Sequence, residues 1–332
     1  MKKYRVLVLT DHTGHSKENS IYAILDQMQD HDQCLDIHVA SRSVEANNPF
    51  FKDNQFSELH CVKINKGFSF DQTGLQFSDN KVSVKSHEFD IFFLRLPRPV
   101  SDEFLKKLAL SFSDKVIINK PLGIIECSSK AFLVNFPQWC PPIKLCRSRE
   151  DICHFNNSYE MVLKPLREYG GKGIVRITKG MVNDGINNIA LNQYLPKIEQ
   201  ELTEHGYLAM KFLHNVSKGD KRLLVVNGKV LASSLRLPRA GSWLCNVAQG
   251  GRSVYSEINK EEFEMIENIS PILLEKGILI YGADTLENDE GKRVLSEINA
   301  LSIGGFPQAE KQTGKPIIKE TINEFFNYVN KQ

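Results

Sequence analysis

The first forty residues commit the chain to an architecture. "YRVLVLT" (4–10) is a β-branched apolar run, "NSIYAILDQMQ" (19–29) carries apolar residues at helical spacing behind a polar start, and "LDIHVA" (35–40) is a second strand-like run. Two strands separated by a helix cannot close as a tight hairpin, so they pair in parallel through a crossover. A parallel sheet needs cover on both faces, which makes the chain α/β.

The alternation continues. After a polar, turn-rich 41–88, in which "GLQFSDNKVSV" (74–84) predicts a hairpin around Asp79-Asn80, come a strand "DIFFLRL" (90–96) and a helix 101–112. A strand "KVIINKP" (115–121) is stopped by Pro121, where the first domain boundary is placed. Beyond it the pattern predicts a helix over 128–136, a short strand and short helix, a strand ending in Lys164 and a helix over 187–204. A strand follows at 207–213, then a hairpin over 221–238 turning at Asn227-Gly228 and a long glycine-punctuated loop over 238–252. A helix over 260–277, the strands "ILIYGADTL" and "RVLSEIN", and an amphipathic terminal helix complete the chain. Three units are expected: 1–121, 122–206 and 207–332.

Bulk properties exclude several function classes. In 332 residues, 42 Lys and Arg nearly balance 40 Asp and Glu, so no global field points to nucleic acid or an acidic membrane. The longest apolar runs, around Ile278–Ile280, are too short to span a bilayer, and "MKKYRVLVLTDHTG" is a first strand rather than a secretory signal. Seven cysteines, an odd number without a C-x-x-C pair, fit a reduced cytoplasmic interior. His12 and His15 lack two further zinc ligands and read as part of a surface loop.

Chemistry concentrates in three constellations. "VLKPLREYGGKGIVRI" (162–177) puts Lys164 at a strand end and Gly170, Gly171 and Gly173 in the following turn. It is not a P-loop: β-branched residues rather than a helix follow Gly173, so the unit reads strand, glycine turn, strand. Glycine lets main-chain N–H groups approach an anion, although an ordinary hairpin has the same signature. Asp284, Glu297 and Asn299 form an oxygen-rich set, the last two on one strand face, and hard donors of this kind suit Mg²⁺; solvated strand ends are the plainer reading. Lys130, Lys164, Lys211, Arg222, Arg236 and Arg252 supply cations from separate elements, each of which alone reads as a surface or snorkelling side chain.

Taken together these segments resemble the ATP-grasp superfamily and, within it, the bacterial glutathione synthetases. The resemblance runs over almost the whole chain: "NKP" (119–121) with Lys130 downstream, "LKPLREYGGKGIVRI", "GDKRLLVVNG" (219–228), "LRLPRAGSWLCNVAQGGR" (235–252), "LLEKGILIYGADTL" (273–286) and "SEIN" (296–299). It implies an N-terminal parallel-sheet (pre-ATP-grasp) domain followed by a two-subdomain ATP-grasp fold. It implies ATP as co-substrate and Mg²⁺, with Mn²⁺ as the alternative ion.

The resemblance also distributes roles. Lys130 and Lys164 would hold phosphates, the 170–173 turn would be a flap, Met210, Lys211, Phe212 and Leu213 the adenine-side hinge, and Asp220 a further nucleotide-side residue. Asp284, Glu297 and Asn299 would ligate the metal. Arg222, Arg236 and Arg252 would face an acyl phosphate, with Asn246 and the 238–251 lid. Lys17, Ser20, Arg95 and Ser302 would meet the substrates. The implied reaction joins γ-glutamylcysteine to glycine in a cytoplasmic homo-oligomer, a dimer or tetramer, without nucleic-acid or membrane partners. Three departures from the pattern bear on substrate choice: "ALSIGGFPQAEKQTG" (300–314), Leu244 in the lid and the longer "ENDEGKR" (287–293). They keep a ligase of another acid–amine pair as the alternative, with a non-catalytic nucleotide-binding regulator behind it.

Overall fold

The computed structural model describes residues 2–79, 81–166, 168, 171–238 and 252–332, with only the backbone of Arg252 and Ser253. Gly170, Leu244, Asn246, Gly250, Gly251 and nearly all of the expected lid therefore lie outside the described residues.

The first sheet contains β1 (Tyr4–Thr10), β2 (Cys34–Ser41), β3 (Glu58–Lys63), β4 (Lys81–Lys85), β5 (Ile91–Leu94) and β6 (Val116–Ile118), ordered β4-β3-β2-β1-β5-β6. β2, β1, β5 and β6 run parallel, as the opening pattern requires, and β3 and β4 extend the edge antiparallel. Both faces of β1 are buried. Val6 and Val8 pack with Ile21, Ile24 and Leu25 of the helix Ser20–Met28. Leu7 and Leu9 pack with Phe104, Leu105 and Leu108 of the helix Asp102–Ser111. That two-sided burial explains why β1 is apolar without alternation.

The second sheet is antiparallel: β7 (Ile143–Cys146), β8 (Met161–Pro165), β9 (Val175–Thr178), β10 (Met181–Asn183), β11 (Asn188–Ala190) and β12 (Tyr207–Lys211), ordered β11-β10-β9-β8-β12-β7. Its small core joins Met161, Leu163, Ile177 and Ala209 to Leu195 and Leu202 of the helix Leu191–Glu204. β12 lies between β8 and β7, so the 207–211 strand belongs to this sheet rather than to the next.

The third sheet, also antiparallel, contains β13 (Asp220–Val226), β14 (Lys229–Leu237), β15 (Arg252–Tyr255), β16 (Ile280–Glu287) and β17 (Arg293–Asn299), ordered β15-β14-β13-β16-β17. Leu223 and Val225 face the helix Lys260–Glu275 through Met265 and Ile269, while Leu224 and Val226 face Phe306 and the C-terminal helix Ile317–Val329. That terminal helix also joins the core containing Val6 and Val8, so it ties the last sheet to the first.

Several local expectations are corrected. Residues 76–79 form a helical turn, and β4 pairs with β3, a strand whose buried Leu59 and Cys61 alternate with polar residues. Pro121 opens the helix Pro121–Cys127 at its first turn, where its missing N–H costs nothing, and Lys130–Asn135 is a 3₁₀ segment. The second-sheet helix starts at Leu191 because 188–190 pair with β10. No helix among the described residues is long and apolar enough to cross a membrane.

Asn119 joins the first sheet to the third. Its buried amide donates to Ile280 O (2.6 Å) and Ala300 O (2.7 Å), and its oxygen accepts from the N–H groups of Leu279 (2.8 Å) and Ile280 (2.9 Å). Removing it strands two donors and two acceptors in a buried site. Asn119→Ala is expected to lower unfolding stability by about 3–5 kcal/mol, read as a shift in denaturant midpoint; a shift equivalent to under ~1 kcal/mol would show that solvent replaces these bonds.

Candidate active site

The register of the third sheet builds the charged centre. Arg222 on β13 lies opposite Asp284 on β16, Asp284 lies opposite Glu297 on β17, and Asp220 on β13 lies opposite Arg236 on β14. Directly paired residues share a face, as do residues two apart on a strand. Asp220, Arg222, Arg236, Asp284, Glu297 and Asn299 therefore project from one side, continuing the row of Leu224 and Val226. Lys221 and Thr285 point the other way, onto buried Glu262 (2.7 and 2.8 Å).

Asp284 is the most heavily bonded member. Arg222 grips both its oxygens (Nε 2.6 Å, Nη2 2.5 Å), Arg236 Nη2 lies at 2.9 Å, and Asn299 Nδ2 donates at 3.2 Å. Burial disfavours its charge, but the two guanidinium groups prevail and hold its pKa down at about 2. Asp220, also bonded to Arg236 (2.6 Å), goes the other way: burial, reinforced by the Asp284 charge, pushes it up to about 6. Gly282 leaves room for this packing, since a Cβ there would stand 3.2 Å from Arg222 Nε.

A lysine of the second sheet and one of the 3₁₀ segment Lys130–Asn135 approach this centre. Lys164, on β8 opposite Leu208 of β12, reaches Met210 Sδ (3.4 Å) and Ser296 O of β17 (3.4 Å). Burial lowers its pKa, opposed by the charges of Glu297, Asp220 and Asp284. Lys130, from the 3₁₀ segment, donates to Glu168 O. Its pKa is lowered to about 8 by burial, with Glu297 opposing and Lys164 and Arg98 adding to the shift. Glu297 is thus the acidic neighbour common to both lysines. β8 and β9 pair directly, with Gly171 (φ 81°) and Gly173 (φ 70°) in the left-handed region between them, so the strand–glycine turn–strand reading holds. Met210, Phe212 and Leu213 are buried at the exit from β12, whereas the ammonium of Lys211 is held by Asp289 (2.8 Å). The side chain of Arg252 is outside the described residues; its backbone pairs with Leu237.

This donor set fits a hard divalent cation. It offers only oxygens, two carboxylates and one amide from adjacent positions of β16 and β17, beside cations that would share a polyphosphate. Among the described residues no three His, Cys, Asp or Glu side chains stand at metal-binding spacing.

A second polar group lies at the C-terminal ends of β1 and β5, where the strand order reverses and open α/β sheets bind ligands. Arg95 is only 4% exposed. Its Nη2 donates to Ile303 O (2.7 Å), its Nε lacks a partner among the described residues, and burial lowers its pKa to about 10. Ser302 Oγ donates to Arg95 O (3.1 Å). Ser20 Oγ accepts from Gly305 N (3.0 Å) and Phe306 N (3.3 Å), so its hydroxyl anchors the 302–306 loop. Lys17 is exposed and lines an open pocket of about 740 Å³ with Tyr22, Phe68 and Phe70.

Sequence reasoning missed the histidine here. Thr10 Oγ1 donates to Arg95 O (3.1 Å) and lies 3.0 Å from His15 Nε2, whose Nδ1 lies 2.9 Å from Tyr22 OH. With the Thr10 proton committed, Nε2 must donate and Nδ1 must accept from Tyr22, an assignment from the network. No spacing in the sequence signals this relay, because its members come from a strand end, a loop and a helix. Burial, aided by the charges of His12 and Arg95, lowers the His15 pKa to about 4. A lowered histidine pKa means that the unfolded chain takes the proton first. The contribution of His15 to stability is therefore intact above its unfolded pKa and lost as pH falls towards 4. Titration of the His15 ring by NMR is expected to show a midpoint near 4; an ordinary value near ~6.5 would contradict its neutral role.

Residues 129–314 match the model of the prokaryotic glutathione synthetase ATP-grasp domain. The chain is 28% identical over 263 residues to the glutathione synthetase of Buchnera aphidicola subsp. Schizaphis graminum, covering 74% of this chain and 78% of that protein. It is 31% identical over 222 residues to the enzyme of Yersinia pestis, covering 65% and 66%. Among solved structures, D-cycloserine synthetase DcsG aligns with a TM-score of 0.64 at 10% identity, over 97% of this chain and 98% of that one. The ATP-grasp ligase PsnB, complexed with minimal precursor, Mg and ADP, aligns at 0.58 and 12% identity over 98% of each. An N-terminal parallel-sheet unit, two antiparallel sheets in ATP-grasp arrangement and a family match over more than half its length lead to one assignment: the chain belongs to the prokaryotic glutathione synthetase family and is an ATP-dependent ligase.

Proposed function

We propose that the chain joins γ-glutamylcysteine to glycine with conversion of ATP to ADP and phosphate. A carboxylate is a poor electrophile, so its oxygen first attacks the γ-phosphorus of ATP and ADP departs. The glycine nitrogen then attacks the acyl carbon, loses a proton, and phosphate leaves. Phosphoryl transfer needs alignment and charge neutralisation rather than a nucleophilic side chain.

The observation that carries this reading is the reach of Lys164 from the second sheet to Ser296 on β17, one residue from Glu297. It draws Lys164 to the strand that carries Glu297, which supports a phosphate site shared by the lysines, the arginines and the acids. Lys130 and Lys164 bind phosphate oxygens, and Gly170, Gly171 and Gly173 let a flap approach them. Met210–Leu213 line the base, and Asp220 steadies Arg236 beside the phosphates. Asp284, Glu297 and Asn299 would hold Mg²⁺, which when bound would neutralise phosphate charge. Arg222 and Arg236, with Arg252, stabilise the transferred phosphoryl group and the tetrahedral oxyanion. Asn246 and the 238–251 segment exclude water.

Arg95 takes the acid substrate's carboxylate, supported by its place at the C-terminal sheet edge and by an Nε that has no partner among the described residues. Ser20 and Ser302 shape that pocket through the loop they anchor, and Lys17 stands at its entrance. In this reading residues 1–121 bind the acid substrate. The smaller ATP-grasp subdomain runs from 122 through β12, and the central one starts in the 212–219 connection.

The test is ADP release by the purified protein with γ-glutamylcysteine and glycine, against a panel of other acids and amines. ADP formed stoichiometrically with glutathione is expected. Turnover only with a different pair would assign the ligase to another product, which the Gly304-Gly305 loop would then explain. In the same assay Arg236→Ala is expected to lower kcat roughly 10²–10³-fold, the scale of one oxyanion donor; an unaltered kcat would place Arg236 outside the reaction.

A further inference from the structure

The turn between β16 and β17 is built to hold a shape. Asn288 N–H donates to Lys292 O (2.8 Å), and the Asn288 side-chain oxygen accepts from Glu290 N (3.1 Å) and Lys292 N (2.8 Å). Gly291, at φ 81°, donates to Asn288 O (3.0 Å). This rigid tip lies along residues 211–219, the segment that carries the chain from the second sheet into the third.

The contacts run the length of that segment. Asp289 Oδ2 meets Lys211 Nζ at 2.8 Å, and Asp289 Oδ1 accepts from His214 N–H at 3.0 Å. Asn215 Nδ2 donates to Asn288 O (2.7 Å), Lys218 pairs with Glu287, and Arg293 Nη1 donates to Gly219 O (2.9 Å). The other side of the segment is held from the second sheet. Phe212 N–H donates to Glu160 O (2.8 Å), and the Arg176 guanidinium lies 3.8 Å over the Phe212 ring.

We infer that Asp289 is a positioning residue for the nucleotide, acting through Lys211 and the His214 amide on the Met210–Leu213 hinge. The inference rests on the reading of that hinge as the adenine side of the site. A base read by main-chain groups needs them at fixed distances, and one carboxylate here restrains both a side chain and a backbone N–H on either side of Phe212–Leu213. Hydrogen bonding to Asp289 raises the Lys211 pKa, and the same bond lowers that of Asp289, so both ends are charged at neutral pH. Lys211 is thereby turned towards the hairpin, and its contribution to nucleotide binding passes through its main chain.

Asp289→Ala is expected to raise KM for ATP and Kd for ADP about 5–10-fold, the scale for losing a part-exposed charged pair and an amide bond. The change in kcat is expected to stay under ~2-fold, KM for both other substrates should hold, and Asp289→Glu should restore part of the affinity. Amide exchange of residues 210–214, with and without ADP, separates the outcomes. Protection of the wild-type hinge with an unchanged KM in Asp289→Ala would overturn the role of Asp289 alone. Absence of protection in the wild type would overturn the hinge reading and this inference with it. A uniform loss of kcat and thermal stability would make Asp289 a folding residue and overturn it too.

Discussion

The register of four antiparallel strands sets the chemistry of this molecule. Because β14, β13, β16 and β17 pair as they do, Arg236 faces Asp220, Arg222 faces Asp284, and Asp284 faces Glu297. A shift of one residue in any of these pairings would turn half of that set to the opposite face, into the core around Tyr281 and Met265. The apolar rows fix the register: Leu224, Val226 and Ile280 on one side and Leu223, Val225 and Ala283 on the other are all buried. Ordinary hydrophobic burial, at about 25 cal/mol per Å² of apolar surface, thus places the charges.

Such a cluster is costly unless it is balanced. Asp284 is 1% exposed and would lose several kcal/mol as a lone buried ion, which is why two arginines and an amide surround it. Asp220 and Asp284 compete for Arg236, and the outcome is asymmetric: the carboxylate with two guanidinium partners keeps its charge easily, while its neighbour is pushed up to about 6. In the 3₁₀ segment Lys130–Asn135, Lys130 is 6% exposed and its pKa falls to about 8 through burial. Cations with shared, part-desolvated partners are in the state in which electrostatic contact with an anion is strongest.

Much of this was legible in the sequence, and the reasons differ by element. β1 and the helix after it declare themselves by apolar period, and Lys164 with Gly171 and Gly173 declares a strand, turn and strand because each residue type has few alternative uses there. Strand alternation put Glu297 and Asn299 on one face, and the pairing of β16 with β17 sets Asp284 opposite Glu297. What sequence periodicity could not give was tertiary pairing. β3 reads as polar because only Leu59 and Cys61 of its alternating set are strongly apolar, and Pro121 reads as a strand stop although it equally suits a first helical turn. β12 sits in the second sheet because its partners are β7 and β8, and no local signal distinguishes that from the third. The Thr10–His15–Tyr22 relay and the Asp289–Lys211 contact were invisible for the same reason. Their members are ordinary polar residues until the fold brings them together.

The account stands on Lys164 and the β16–β17 acids serving one triphosphate. A crystal structure with Mg²⁺ and a non-hydrolysable ATP analogue tests this most directly. The account predicts phosphate oxygens within about 3 Å of Lys164 Nζ and a metal at about 2.1 Å from oxygens of Asp284 and Glu297. A nucleotide seated elsewhere, with Asp284 still closed by Arg222 and no metal on β17, would contradict it.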